Sequence, residues 1–81
     1  MNKEEIREAL ARVETTEREA AQAKIEAGEA FAKARRGEEC TFEEALLAHE
    51  AAKLHGEYLK AEVRLAELIK EELIKKEEGH E

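Results

Sequence analysis

Residues 34–44 read Ala34-Arg35-Arg36-Gly37-Glu38-Glu39-Cys40-Thr41-Phe42-Glu43-Glu44. Two cations followed by glycine suit the end of a helix, where free carbonyls carry partial negative charge and a left-handed residue closes the last turn. Thr41 with Glu44 three positions on suits the start of another. The hydroxyl accepts from a first-turn N–H, and the carboxylate reaches back to the cap's own N–H. One helix therefore stops and a second starts within a few residues, with the turn at Glu38–Cys40. The expected fold is all-α: a long antiparallel helical hairpin, helices about 2–36 and 42–78, in a single domain over residues 1–81.

Outward from the turn, start and stop signals are few. Asn2 with Glu5 reads as the first helix's capping box, and Lys75, Lys76 and Gly79 as the second helix's end. Thr16-Glu17-Arg18-Glu19 is a rival start signal that would break the first helix near Thr15-Thr16. No glycine or proline precedes it, and Glu14 with Arg18 makes a favourable helical pair across the junction, so a continuous first helix is expected.

Composition agrees with helix everywhere. Ala, Glu, Lys, Leu and Arg fill 58 of the 81 positions, while proline, aspartate, serine and tryptophan are absent. That exceeds the roughly half that marks coiled coils and long helices. The formal net charge of −7, with no basic cluster, argues against nucleic acid as a partner. No apolar run reaches membrane-spanning length, no signal-peptide core opens the chain, and the lone Cys40 cannot form an internal disulfide. A soluble, cytoplasmic protein is the expectation.

The apolar residues keep a heptad. On the first helix Ile6, Val13, Ala20, Ala27 and Ala34 alternate with Ala9, Thr16, Ala23 and Ala30, and Leu10, Ile25 and Phe31 lie alongside. The second helix carries two rows. Leu47, Ala51, Leu54, Tyr58, Ala61, Leu65 and Leu68 form one. Ala45, Ala52, Gly56, Leu59, Val63, Ala66 and Leu73 form the other, with His49 in register. A turn centred near Cys40 places residue i near residue 78 − i, bringing Leu10 to Leu68, Val13 to Leu65 and Leu47 to Phe31. Intrachain packing is assigned on this basis to Leu10, Val13, Gly28, Phe31, Leu47, Leu54, Tyr58, Leu65 and Leu68. Gly28 and Gly56 each cost a helix about 1 kcal/mol relative to alanine; close helix approach against His49 and Ala21 is the preferred reason, ahead of a bend or room for a cofactor.

Two rows on one helix are one too many for a lone hairpin, because pairing buries only one stripe of each helix. The second row, Ala45, His49, Ala52, Gly56, Leu59, Val63, Ala66 and Leu73, is therefore expected to be an oligomer interface that further copies cover, as a bundle or ring. Which row faces which partner is open at this stage.

Little here points to chemistry. His49 and His55 stand on different faces of one helix, and no Glu lies three residues before either, as di-iron bundles require. Symmetry copies of His49 converging on a haem or metal is the sharper hypothesis; a seam histidine bonded to a neighbour is preferred. Cys40 reads as a small residue ahead of a cap, and His80 as a solvated terminal residue. No catalytic, cofactor or metal residue is assigned, and the chain is expected to be no enzyme, with no small-molecule substrate.

Gly28-Glu29-Ala30-Phe31 followed by Phe42-Glu43-Glu44-Ala45-Leu46 resembles the helix pair of tetratricopeptide repeats and of microtubule-interacting-and-trafficking domains, over about residues 20–60. That resemblance implies an adaptor or chaperone hairpin that binds a partner helix, with Phe31, Ala45 and Leu46 packing. Type III secretion chaperones are similar in outline. The whole chain resembles de novo designed helical homo-oligomers in its restricted alphabet, capped helices and interleaved Glu/Lys/Arg surface. This second resemblance implies a structural, self-assembling protein whose only partner is itself.

Overall fold

The computed structural model of the chain describes residues 3–79. Among these the structure is helical apart from the connections: α1 spans Lys3–Glu26, α2 Gly28–Arg35 and α3 Phe42–Glu78. α1 and α2 form one bent arm that packs antiparallel to α3, an all-α hairpin extending 63 Å along its long axis. The expected Asn2 cap and His80 lie outside the described residues.

The turn is built as its residues dictate. Gly37 takes φ +73°, which places it in the left-handed region that glycine enters without steric cost. Its N–H donates to the Ala34 carbonyl at 3.1 Å, and that of Glu38 to the Lys33 carbonyl at 2.9 Å. These are the paired bonds of a Schellman closure. Four residues on, the Glu44 N–H donates to Thr41 Oγ1 at 3.1 Å, and the Thr41 N–H to Glu44 Oε1 at 2.8 Å. Lys33 Nζ donates to the same Glu44 Oε1 at 3.0 Å and so ties the end of α2 to the start of α3. Arg36 grips Glu38 through two bonds of 2.9 and 3.0 Å.

These bonds carry a pH dependence. The Thr41 N–H first, then Lys33, holds the Glu44 carboxyl below its ordinary value of 4.5, and Arg36 does the same for Glu38. A depressed folded-state value means that unfolding takes up protons. The contribution is therefore complete above about pH 4.5 and is lost as pH falls through the lower folded value. The urea midpoint of Glu44→Gln is expected to fall less between about pH 5 and pH 3 than that of the parent chain. Equal falls would remove Glu44 as a source of acid sensitivity.

The first arm is not one continuous helix. Thr15 and Thr16 lie mid-α1, so the rival start signal is silent, but the helix is interrupted at Ala27, with φ −90° and ψ 4°. Its neighbours keep their helical bonds: the Ala27 N–H donates to Ala23 at 2.9 Å, and the Phe31 N–H to Ala27 at 3.1 Å. The interruption is a one-residue bend. Its cause is packing plus propensity: Ala27 has no exposed surface, pressed into a cluster with Ala23 and Ala51, and the next residue is Gly28, a poor helix former.

The even register also needs correcting. Arg12 contacts Glu57 at 3.6 Å and Glu5 contacts Arg64 at 3.7 Å, whereas an even register would set Arg12 level with Ala66 and Glu5 level with Leu73. Pairing therefore slides toward the turn, and the last part of α3 runs on past it. Leu10, one position off the alanine heptad, and Leu47 are not core residues, at 45% and 40% exposed.

The core follows the alanine heptad: Ala9, Ala20, Ala23, Ala27 and Ala30 on the first arm meet Ala51, Ala61 and Leu68 of α3. Thr16, 1% exposed, satisfies its hydroxyl on the carbonyls of Arg12 and Val13 at 2.8 and 3.1 Å. Phe31 and Leu54 pack partly buried against Ala23, Ala27 and Ala51.

The glycines do not sit at helix contacts. A Cβ built on Gly28 or Gly56 would meet nothing within 4 Å, so close approach within the hairpin is not their reason. Gly28→Ala is accordingly expected to stabilise the chain by about 0.5–1 kcal/mol, read as a higher urea midpoint. A lower midpoint would mean that the bend at Ala27 depends on glycine.

Candidate functional site

The packing of α1 on α3 sorts the two rows of α3. Ala51, Ala61 and Leu68 of the first row are buried, and Leu54, Tyr58 and Leu65 half-buried, against the first arm. On the first arm Val13, Gly28 and Phe31 are half-buried too. The second row lies on the side of α3 turned away from α1. Ala45, His49, Ala52 and Ala66 are exposed and Gly56 is half-buried, while Leu59, Val63 and Leu73 are 47%, 57% and 58% exposed. Heptad spacing on a helix that already uses one heptad for its partner produces this placement, because the positions one residue after and two residues before Ala51, Tyr58 and Leu65 fall on the opposite side.

Further apolar side chains flank the outer row. Phe42 precedes Ala45 by one turn and is 78% exposed, and Leu46, Ile69 and Ile74 are 53%, 44% and 44% exposed. Sequence reasoning left these four out of the row: Phe42 stands one heptad before His49 at the very start of the helix, and Leu46, Ile69 and Ile74 lie beside the chosen positions; a wider stripe would have included them. Beyond Arg64, Ile69, Leu73 and Ile74 line a hollow made by α3 alone.

The flank between the two helices is polar. Arg12–Glu57 and Arg64–Glu5 bridge the arms there, each pair well exposed and so worth little to stability. They mark the register at which α1 lies beside α3 on this flank. On the other flank Tyr58 Oη donates to Glu62 at 2.7 Å, and that carboxylate, with Glu17 behind it, raises the phenol above its ordinary range. His55 lies against the Tyr58 ring, centroids 5.9 Å apart.

Chemistry has little to work with. Among the described residues no three of His, Cys, Asp and Glu gather as metal ligands. His49 and His55 are both exposed, on different sides of α3. The cleft at Ala20, Lys24, Ala51, Ala52 and His55 holds about 190 Å³, and a hollow of about 460 Å³ lies along Arg18, Gln22, Ala23, Glu50 and Leu54. Cys40 points its thiol at the Ala30 carbonyl, 3.5 Å away, an ordinary contact between the turn and α2. No described helix is long and apolar enough to cross a membrane. Comparison with protein-family models, with curated proteins and with solved structures gave no match.

Proposed function

We propose that this chain is a structural, self-assembling protein, without enzymatic activity, whose working surface is the outer row of α3, and that it acts as a symmetric homo-oligomer. The observation that carries this reading is the amount of surface the lone hairpin leaves open. Its accessible area is 6374 Å², against about 4,900 Å² for a folded monomer of this mass. The excess, roughly 1,400 Å², is more than the ~800 Å² each partner contributes to a stable interface. Its shape agrees: the radius of gyration is 18.2 Å, against about 12 Å for a compact chain of this length.

Composition supports an origin by design on an idealised backbone. The exposed positions are filled with the strongest helix formers and interleaved charges, a pattern that propensity-driven choice produces. On that reading assembly is the purpose of the chain, and there is no natural substrate to find.

Light scattering across a dilution series tests the proposal. A mass that is a multiple of 9.2 kDa supports it. A chain that stays monomeric, helical and cooperatively folded at every concentration overturns it.

A further inference from the structure

The outer row of α3 is self-complementary in one orientation, and we infer that two copies pair α3 against α3 antiparallel about a two-fold axis, with Leu59 of each copy seated on Gly56 of the other. This inference rests on the self-association proposed above and adds its geometry.

The starting point is Gly56. A glycine in mid-helix costs about 1 kcal/mol, and nothing within 4 Å of its missing Cβ explains it inside the hairpin. It lies in the outer row one turn before Leu59, which is 47% exposed. In an isologous pair, residue i meeting j′ requires j to meet i′. Placing Leu59 over the partner's Gly56 therefore fills both sockets at once and sets every other layer, because positions summing to the same value then face each other.

Those layers alternate large with small. Val63 falls opposite the partner's Ala52, and His49 opposite Ala66. Phe42 and Leu73, two of the most exposed apolar side chains, at 78% and 58%, cover one another where the pair ends. Lys70 falls opposite Ala45, where its aliphatic stem can lie over the small residue and its ammonium reach solvent. Beside the row, Ile69 comes to Ala48 and Ile74 to Leu46. The end of α3 that runs past α1 is thereby covered by the partner's first turns.

Charges agree with the same register. Side chains lean toward their own helix N-terminus, which brings Lys53 to the partner's Glu67 and His55 to the partner's Glu62, each twice by symmetry. Lys60 meets its own copy near the axis, but Glu57 already holds it at 3.6 Å. A heptad slip in one direction puts Lys70 on Ala52 and Glu77 on Ala45. A slip in the other leaves Leu73 and Ile74 uncovered. A parallel pair would set Leu59 on Leu59 and Gly56 on Gly56, stacking large on large.

A size swap tests the socket. Gly56→Leu has room within the hairpin and keeps it helical, but fills the space that the partner's Leu59 needs; the dimer should weaken more than tenfold by light scattering. Adding Leu59→Ala to it moves the large side chain to the other partner of the same layer and should restore the dimer. A dimer unmoved by Gly56→Leu, or one that Leu59→Ala does not rescue, overturns the socket. Orientation is read by cross-linking in a Cys40→Ala background. Ala52→Cys and Val63→Cys chains should join through a short bismaleimide only when mixed, since identical thiols lie about 16 Å apart along the axis in the antiparallel pair. Cross-linking of each variant with itself would establish a parallel pair, overturning this inference while leaving self-association standing. A parent chain that is monomeric overturns the underlying reading instead.

Discussion

Val63→Glu is expected to turn the assembly into folded monomers. Val63 is 57% exposed in the lone chain, so a carboxylate there is solvated and the hairpin keeps its helix content. In the proposed assembly the same position is dry. An uncompensated charge there costs about 3–5 kcal/mol, which is more than a hundredfold in dissociation constant. Leu59→Glu should behave alike. Leu65→Glu offers the contrast, because Leu65 is half-buried in the row that faces α1: there a charge damages the hairpin itself, and helix content falls along with the mass. The pair of readouts, circular dichroism for helix and light scattering for mass, separates the two. If Val63→Glu and Leu65→Glu lose helix together, the division of α3 into an inner and an outer row is wrong. If Val63→Glu keeps the parent's mass, the outer row is not the interface.

Leu68→Ala should cost the hairpin about 2–3 kcal/mol. Leu68 is 2% exposed and is, among the described residues, the one large aliphatic side chain buried to that degree. Removing its isobutyl group leaves a cavity beneath a side chain that is almost wholly out of solvent. Against the roughly 4–12 kcal/mol expected of a domain this size, that is a large share of the total. A urea titration that shows the midpoint lowered in proportion, with an unchanged slope, is the expected result. A loss below about 0.5 kcal/mol would show that the arms collapse onto the gap, and that the core at this end is more plastic than its burial indicates.

How much of this was legible in the sequence depends on whether the signal was local. Gly37 and the Thr41–Glu44 box specify their own bonds within a few residues, so the turn and both helix ends beside it read directly. The alanine heptad likewise named the buried face of the first arm, since Ala9, Thr16, Ala20, Ala23, Ala27 and Ala30 are all buried. The bend at Ala27 was not legible. It comes from the closeness of α3 at Ala51, and nothing in Glu26-Ala27-Gly28 alone demands it. Register was lost for a related reason: an alanine repeat slid along its partner by one heptad presents almost the same surface, so the pattern of one helix alone does not select the pairing. Leu10 was placed in the core for its size, although it stands one position off the heptad; Leu47 is in the row but beside the turn, where the bent arm draws away. The outer row was legible as a pattern, and the structure adds its side: away from α1.

The alanine face of the first arm also governs how the fold responds to heat. Alanine has no side-chain rotamers to lose on burial, so ordering this face costs only backbone entropy. The same methyl groups remove little apolar area from water, and it is this area that gives unfolding its heat capacity. A chain with such a core should therefore show a heat-capacity increment per residue below the usual ~12–15 cal/mol/K, and hence a broad, shallow stability curve. In the proposed assembly the leucines of the outer row would be buried as well, which would raise that increment and sharpen the curve.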